Sequence, residues 1–402
     1  MNTTGSTLTH LQCSKCDIEY SKDSIHGLSP CCSLPLFPKY DIDKAKTVFK
    51  QNDLIDRPPN MWRYKEMMPI HYQDNITTLG EGYTPLEKAG PLGKKLGFNN
   101  LYLKNESINP TGSFKDRGMS AAISKAKEFG LKKISIPTAG NAGGSTAAYT
   151  SKAGQEAFIF MPSDTPKPFQ IECAQYGAHV NMIDGFISDC GKIVGKRKEK
   201  EGWFDISTLK EPYRVEGKKT MGYELAEQLN WELPDVIVYP TGGGTGIIGM
   251  WKAFNEMESL GWINSNRPKM ISIQSDGCAP IIRAFETGKK TAEYFNDPKT
   301  RALGLRVPVA VGDFLILDSI RKSSGFAMSV SDEELMEGVK WIGKHEGIFS
   351  APEGGATVAA LPKLLDLGVI HNKDRIICFI TGTGLKYIDC LLYTSPSPRD
   401  RG

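Results

Sequence analysis

The feature that most constrains the fold is a regular alternation of short β-branched runs with amphipathic stretches, which begins near Asn100. The amphipathic stretches are long enough for helices and repeat their apolar side chains with helical periodicity. The β-branched runs are KISIP, EAFIFMP, HVNMID, DVIVYP, KMISIQ and RIICFIT. Because strands that alternate with helices form βαβ units, we predict an α/β fold with a largely parallel sheet.

The composition excludes several classes of protein. The 402 residues allow two to three domains of roughly 150 residues each. The 49 basic residues nearly balance the 46 acidic ones, and a net charge of +3 makes nucleic acid or an anionic membrane an unexpected partner. No long apolar run or secretory leader is visible, and the nine cysteines fit a reducing compartment. We therefore expect a cytoplasmic protein with a small-molecule ligand.

Both ends of the chain differ from its middle. Residues 1–44 contain few apolar runs and four clustered cysteines, so we predict a small appended extension. Residues 45–392 form the main body, in which residues 45–99 are expected to be coil with short helices. The last ten residues, 393–402, are rich in Ser, Pro and Arg and are predicted to be a disordered or foreign tail. The clustered cysteines are Cys13, Cys16, Cys31 and Cys32.

Three of the β-branched runs end in similar loops, IPTAGN, YPTGGGTG and FITGTG. Ligands of parallel sheets bind at the carboxyl ends of strands, so we expect these loops to meet in one crevice. The glycines of residues 242–246 leave backbone N–H groups free to approach an anion, and the helix that follows adds positive potential, which predicts a phosphate cradle. The same residues also fit a dinucleotide fingerprint of Gly244, Gly246 and Gly249 with Asp276 as the acidic partner, so a dehydrogenase using NAD stays open.

A second motif, NPTGSFKDRG at 109–118, separates these alternatives. We expect a helix to begin at Phe114, with Ser113 and Asp116 forming a capping box. Lys115 would then lie in the first turn, where the helix dipole disfavours a cation and lowers the pKa of the amine. A nucleophilic lysine together with a phosphate cradle is what pyridoxal 5'-phosphate (PLP) requires.

This lysine motif resembles that of the fold-type II PLP enzymes and, among them, most resembles the threonine synthases. GEGYTPL at 80–86, RVEGKKT at 214–220 and TGTGLK at 381–386 add to the resemblance, which covers roughly residues 10–390. It implies a fold like that of the tryptophan synthase β subunit, with PLP between two α/β lobes that have parallel sheets. The implied site residues are Lys115 as the Schiff-base lysine, Gly242, Gly243, Gly244, Thr245 and Gly246 around the cofactor phosphate, Asn141 at the 3′ oxygen, Thr381 at the pyridine nitrogen, and Thr138 and Arg214 at the substrate.

The resemblance implies conversion of O-phospho-L-homoserine and water to L-threonine and phosphate, a lyase reaction of threonine biosynthesis. The main alternative is a PLP-dependent lyase or β-replacement enzyme acting on serine or threonine, which is favoured by Ala142 and Leu209 where threonine synthases commonly have polar side chains. A non-catalytic binding protein is a third possibility. The expected partner is an amino-acid substrate, and a homodimer stays open.

The N-terminal cysteines resemble a small zinc-ribbon-like knuckle found in some threonine synthases. Cys13 and Cys16 have the spacing of one half of a tetrahedral zinc site. Cys31 and Cys32 are adjacent, so we expect only one of them to reach the same metal, with His26 as an alternative ligand. The resulting expectation is a zinc site that includes Cys13, Cys16 and Cys32.

Overall fold

The computed structural model describes residues 2–388, and all six β-branched runs form strands. The predicted tail, 393–402, lies outside the described residues. The strands in chain order are β1 (Leu8–Cys13), β2 (Glu19–Ser21), β3 (Leu36–Tyr40), β4 (Leu86–Lys88), β5 (Asn100–Asn105), β6 (Lys133–Pro137), β7 (Glu156–Pro162), β8 (His179–Ile183), β9 (Phe204–Asp205), β10 (Val236–Pro240), β11 (Lys269–Ser275), β12 (Phe326–Val330) and β13 (Arg375–Ile380).

Helices fill most of the intervals between these strands. Within residues 2–388, no helix combines the length and the apolar character that crossing a membrane requires. The helices are α1 (Ile42–Val48), α2 (Gly90–Leu96), α3 (Lys115–Glu128), α4 (Asn141–Ala153), α5 (Lys167–Gln175), α6 (Ile187–Glu201), α7 (Arg214–Gln228), α8 (Thr245–Leu260), α9 (Pro280–Glu286), α10 (Asp313–Lys322), α11 (Asp332–Glu346), α12 (Pro352–Ala359) and α13 (Leu361–Asp366).

Two separate sheets define two α/β lobes. The larger lobe contains a six-stranded sheet in the order β12-β11-β10-β13-β5-β4, and the smaller lobe contains a four-stranded sheet in the order β8-β7-β6-β9. Every pairing in both sheets is parallel except that of β4 with β5. The predicted α/β fold with parallel sheets is therefore confirmed, whereas β4 was not anticipated because its three residues carry little pattern.

The strands β10, β11 and β13 of the larger sheet are buried on both faces. In β10, Val236 and Val238 belong to one apolar cluster, and Ile237 and Tyr239 belong to another on the opposite face. A strand covered on both sides needs apolar residues at successive positions, so it appears in the sequence as a continuous run. This is why the sequence pattern identified these strands correctly.

The N-terminal extension forms its own antiparallel sheet in the order β2-β1-β3. It docks on the main body through Tyr40 of β3, whose hydroxyl donates a hydrogen bond to Glu216 of α7 at 2.6 Å. Lys219 and Lys252 both form ion pairs with the same carboxylate, so the buried charge at this contact is compensated. Helix α1 includes residue 44, where we predicted the boundary between the extension and the main body. The position of that boundary stays a prediction.

Candidate active site

The three predicted loops meet at one cavity of about 480 Å³, into which the carboxyl ends of β6, β10 and β13 open. The expectation that they converge is confirmed. The cavity is lined by every residue that the sequence singled out for cofactor or substrate: Lys115, Thr138, Asn141, Arg214, Gly242, Gly243, Gly244, Thr245, Gly246 and Thr381.

The lysine loop is fixed by the end of a neighbouring strand. The N–H of Phe114 donates to the carbonyl of Thr381 at 3.0 Å, so the segment before α3 is tied to the residue that follows β13. The helix begins at Lys115 with Phe114 as its N-cap, one residue later than predicted. Lys115 therefore lies at the first helical position and lines the cavity together with Thr381.

The predicted capping box between Ser113 and Asp116 is wrong. Asp116 is buried, and its carboxylate accepts hydrogen bonds from the N–H and hydroxyl of Thr111 and, at 2.6 Å, from the hydroxyl of Ser145. These contacts turn it away from the backbone of Ser113 and link the lysine loop to α4. Burial raises the pKa of Asp116 to about 6. The sequence could not reveal this, because Ser145 reaches Asp116 only through tertiary packing.

Burial dominates the electrostatics of Lys115. Removal of the ammonium from water, together with the nearby positive charge of Arg214, lowers the pKa of Lys115 to about 7. Glu353 acts in the opposite direction. The predicted direction is confirmed, but the main cause is burial rather than the helix dipole. A large fraction of Lys115 is thus an uncharged, nucleophilic amine near neutral pH.

The glycine-rich loop is so tightly packed that side chains would not fit at Gly242 and Gly246. A Cβ on Gly242 would lie 2.2 Å from the carbonyl oxygen of Gly304, and one on Gly246 would lie 2.0 Å from the hydroxyl oxygen of Tyr239. Gly244 has φ +81° and is the N-cap of α8. The loop therefore presents bare backbone at the start of a 16-residue helix, an arrangement that favours an anion.

The dinucleotide pattern does not form a common site. Gly249 lies within α8 against α7, where a Cβ would be 2.8 Å from the backbone nitrogen of Lys219. Asp276 is exposed, and it is not among the residues that line the cavity. Packing of α8 against α7 therefore explains Gly249. The NAD alternative is not supported, because its predicted acidic residue, Asp276, lies outside the cavity.

Asn141 and Thr138 approach the cavity from the smaller lobe. Asn141 is the first residue of α4, and Gly140 is the N-cap. Its Nδ2 lies 3.5 Å from the hydroxyl oxygen of Tyr387, and its Oδ1 is buried without a hydrogen-bond partner among residues 2–388. Thr138 supports this turn, because its hydroxyl accepts the N–H of Gly140 at 3.2 Å. The amide of Asn141 is thus available to a ligand.

Arg214 approaches from the first turn of α7. Its Nη1 donates to the carbonyl of Ile206 at 2.6 Å and to the hydroxyl of Thr208 at 3.3 Å, while its Nε is buried and has no partner within residues 2–388. Glu211 accepts the N–H groups of Tyr213 and Arg214, so it caps α7 and does not line the cavity. Burial raises the pKa of Glu211 to about 7, which reduces its opposition to an anion beside Arg214.

Among the polar residues of the cavity that were missed from the sequence are Glu353 and Tyr387, which are hydrogen-bonded to each other. Oε1 of Glu353 accepts the N–H of Gly304 at 2.6 Å and the hydroxyl of Tyr387 at 2.9 Å. Burial raises the pKa of Glu353. One sequence signal could have identified Glu353. It is the single acidic residue in SAPEGGATVAA, a run of small and apolar residues in which a carboxylate is expected only where it has a specific role.

The four N-terminal cysteines form a compact cluster away from this cavity. Their sulfur atoms all lie within 4.8 Å of one another, with Cys13 3.3 Å from Cys32 and Cys16 2.9 Å from Cys31. The expectation that adjacent Cys31 and Cys32 could not both reach one point is therefore wrong. The predicted set of Cys13, Cys16 and Cys32 omits Cys31, and the ring of His26 instead lies 3.0 Å from the carbonyl of Ser21.

Several known proteins are similar to this chain. The threonine synthase of Methanocaldococcus jannaschii is 37% identical over 388 residues, which cover 96% of this chain and 95% of the relative. The threonine synthase of Methanosarcina acetivorans is 35% identical, with coverage of 94% and 92%. Among solved structures, maize serine racemase matches 77% of this chain and 91% of its own with a TM-score of 0.66 at 22% identity.

A second solved structure, the processed threonine deaminase isoform 2 of Solanum lycopersicum, has a TM-score of 0.65 at 21% identity and matches 77% of this chain and 82% of its own. At this identity the two structures establish the fold, which is that of the fold-type II PLP enzymes. The family model described as "Pyridoxal-phosphate dependent enzyme" matches residues 77–382. This range contains Lys115, the glycine-rich loop and Thr381. The chain belongs to the family of pyridoxal-phosphate dependent enzymes.

Proposed function

We propose that this enzyme is a threonine synthase, which converts O-phospho-L-homoserine and water to L-threonine and phosphate. The observation that carries the proposal is that one cavity contains two separate sets of groups suited to anions. The glycine-rich loop at the start of α8 suits the phosphate of PLP. Arg214, with its unpartnered Nε, suits a second phosphate on the substrate. Relatives named threonine synthase support this substrate.

The residues present fit PLP. The glycine-rich loop lines the cavity at the start of α8, where backbone N–H groups and the helix dipole favour a phosphate. The uncharged fraction of Lys115 suits covalent attachment of an aldehyde. We assign the 3′ oxygen to the amide of Asn141 and the pyridine nitrogen to Thr381. When bound, PLP supplies an electron sink for the negative charge that develops on the substrate carbon.

In this proposal Lys115 also moves protons. Its amine is uncharged often enough near neutral pH to accept the proton at Cα of the substrate. Arg214 contributes in two ways, because its positive charge attracts the substrate phosphate and disfavours a proton on Lys115. Thr138 holds the turn before α4 and is proposed to contact the substrate. These roles require exclusion of bulk water, which the burial of Arg214 and Thr138 favours.

The test compares three substrates with the holoenzyme. We expect O-phospho-L-homoserine to yield threonine and phosphate in equal amounts, with much slower conversion of serine or threonine to 2-oxo acids. The Lys115→Ala variant should stay folded and lose this activity. Rapid deamination of serine or threonine with no turnover of phosphohomoserine would instead support a PLP-dependent lyase of the dehydratase type.

We further propose that the extension binds zinc through Cys13, Cys16, Cys31 and Cys32. Four thiolates around zinc at about 2.3 Å lie roughly 3.8 Å apart, and the pairs Cys13–Cys32 and Cys16–Cys32 lie 3.3 and 3.9 Å apart. We expect about one equivalent of zinc per chain by elemental analysis and its loss in Cys16→Ser. A zinc content that the substitution does not change would contradict the site.

The remaining assignments concern the organisation of the enzyme. We propose that residues 1–44 are an extension that supports the catalytic body, residues 45–392, and that the enzyme acts in the cytoplasm on an amino-acid substrate. A homodimer is the assembly we would test first, by measuring the mass of the holoenzyme in solution. A mass equal to the 44.2 kDa chain would exclude it.

A further inference from the structure

A second lysine, Lys218, lies close to the reactive lysine and contacts the residue that precedes it. It belongs to α7 and is fully buried, and its amine donates a hydrogen bond to the carbonyl oxygen of Phe114. The Nζ atoms of Lys115 and Lys218 lie 4.0 and 4.1 Å from the centre of the same Phe114 ring. The residue that precedes Lys115 is thus held from both sides, by Lys218 at its carbonyl and by Thr381 at its N–H.

The surrounding chain makes room for this long side chain. A Cβ on Gly118 of α3 would lie 3.0 Å from Cε of Lys218, and a Cβ on Gly249 of α8 would lie 3.2 Å from its Cβ. Two helices therefore lack side chains where the stem of Lys218 passes between them. The side chain of Lys218 thus explains Gly118, the glycine of the KDRG sequence. It also adds to the explanation of Gly249, the third glycine of the apparent dinucleotide pattern.

Lys218 differs from the other buried lysines of this region in its partners. Lys104 and Lys219 each form ion pairs with glutamates, whereas no carboxylate within the described residues lies at ion-pair distance from Lys218. Burial holds the pKa of Lys218 well below its ordinary value, and the positive charges of Lys115 and Arg214 lower it further. An uncharged amine can still donate an N–H to a carbonyl, so the contact with Phe114 needs no counter-ion.

We propose that Lys218 is a positioning residue for Lys115, fixing the first turn of α3 by holding the carbonyl of Phe114. The inference rests on the proposed role of Lys115 and adds a residue that touches neither cofactor nor substrate. Its contribution is orientation: the reactive amine is presented to the cavity in one arrangement, and a small displacement of such a group is costly to reaction rate.

The test measures how fast PLP attaches to residue 115 of the full-length chain after the cofactor has been removed, with borohydride trapping and peptide mapping. We expect Lys218→Met to slow attachment about tenfold and to lower kcat by a similar factor with little change in KM. Its melting temperature should stay at or above that of the wild type, because a thioether is buried more easily than an amine. Lys218→Gln keeps an N–H donor and should attach PLP within about threefold of the wild-type rate.

Lys219→Met is the matched control, since Lys219 is the next residue of α7 and is also buried. Lys219 forms ion pairs with Glu216 and Glu256, so its replacement leaves Lys252 as their remaining cation and should lower the melting temperature. The hydrogen bond from Lys218 to Phe114 stays in this variant, so we expect an unchanged attachment rate. A wild-type rate in Lys218→Met, or a Gln variant as slow as the Met variant, would overturn the positioning role. Absence of PLP on Lys115 in the wild type would instead overturn the proposed function itself.

Discussion

The hydroxyl of Tyr387 donates a hydrogen bond to Oε1 of Glu353 at 2.9 Å inside the cavity. The same carboxylate accepts the N–H of Gly304, and the amide of Asn141 lies 3.5 Å from the Tyr387 oxygen. Glu353 therefore holds Tyr387, which follows β13, and Gly304, whose carbonyl oxygen lies close to Gly242 of the glycine-rich loop. Through Tyr387 it is also linked to Asn141 of the smaller lobe. We infer that this connection keeps Asn141 aligned toward the cofactor ring.

Removal of the Tyr387 hydroxyl should therefore weaken PLP binding. A neutral hydrogen bond contributes about 1 kcal/mol, so we expect Tyr387→Phe to raise the Kd of PLP about fivefold, measured by titration of the PLP-free chain. Tyr149→Phe is the control, because Tyr149 is a buried tyrosine of α4 whose hydroxyl contacts Glu81 outside the cavity. Equal weakening by both substitutions would mean that the effect is general destabilisation.

Alanine substitutions at Gly242 and Gly243 of the glycine-rich loop should reduce PLP binding to different extents. In Gly242→Ala the new Cβ would lie 2.2 Å from the backbone oxygen of Gly304, which cannot rotate away. In Gly243→Ala it would meet only the methyl group of Thr208, at 2.7 Å, and that side chain can adjust. We expect Gly242→Ala to retain PLP at least about tenfold less well than Gly243→Ala. Gly90→Ala has open space around the Cβ and serves as the control.

The pKa of Lys115 predicts a pH dependence. The uncharged amine is the reactive form, so the rate of PLP attachment should rise with pH and reach half its maximum near the pKa of about 7. Because the charge of Arg214 lowers this pKa, Arg214→Gln should shift the midpoint to higher pH. A midpoint near 10, as for an exposed lysine, would contradict the electrostatic account of the cavity.

Arg214 should also distinguish substrates with and without phosphate. A charge-assisted hydrogen bond contributes about 1.5 to 3 kcal/mol, so Arg214→Gln should lower kcat/KM for O-phospho-L-homoserine about ten- to hundredfold. Side elimination of serine, which has no phosphate, should change much less at the pH of maximum rate. Equal losses on both substrates would assign Arg214 a structural role through Ile206 and Thr208.

The sequence identified the parts of the site that have local patterns. Lys115 stands in a distinctive motif, and the glycines at 242–246 follow a strand that is apolar at every position. The convergence of three loops followed from a general property of parallel sheets. Such inferences need only the residues near each motif.

The wrong and missing predictions concern residues whose role is not visible in a local sequence pattern. Asp116 was assigned to a local cap, but Ser145 of another helix supplies part of its hydrogen bonding. Glu353 and Tyr387 were missed because their contacts with Gly304 and Asn141 join segments that are distant in the sequence. Cys31 was excluded on the argument that adjacent cysteines diverge, whereas its sulfur lies 3.6 Å from that of Cys32. Contacts between distant segments decide the cases of Asp116, Glu353 and Tyr387, whereas the case of Cys31 depends on the local conformation of two adjacent residues.

The most direct test of the proposed reaction follows oxygen from water. The holoenzyme would convert O-phospho-L-homoserine in water enriched in oxygen-18, and mass spectrometry would locate the isotope. Addition of water at Cβ after loss of phosphate predicts one labelled oxygen in the hydroxyl group of threonine and none in the phosphate. Label in phosphate together with homoserine would indicate hydrolysis of the phosphate ester, and 2-oxobutanoate in place of threonine would indicate a deaminating lyase; either result would contradict the assignment as a threonine synthase.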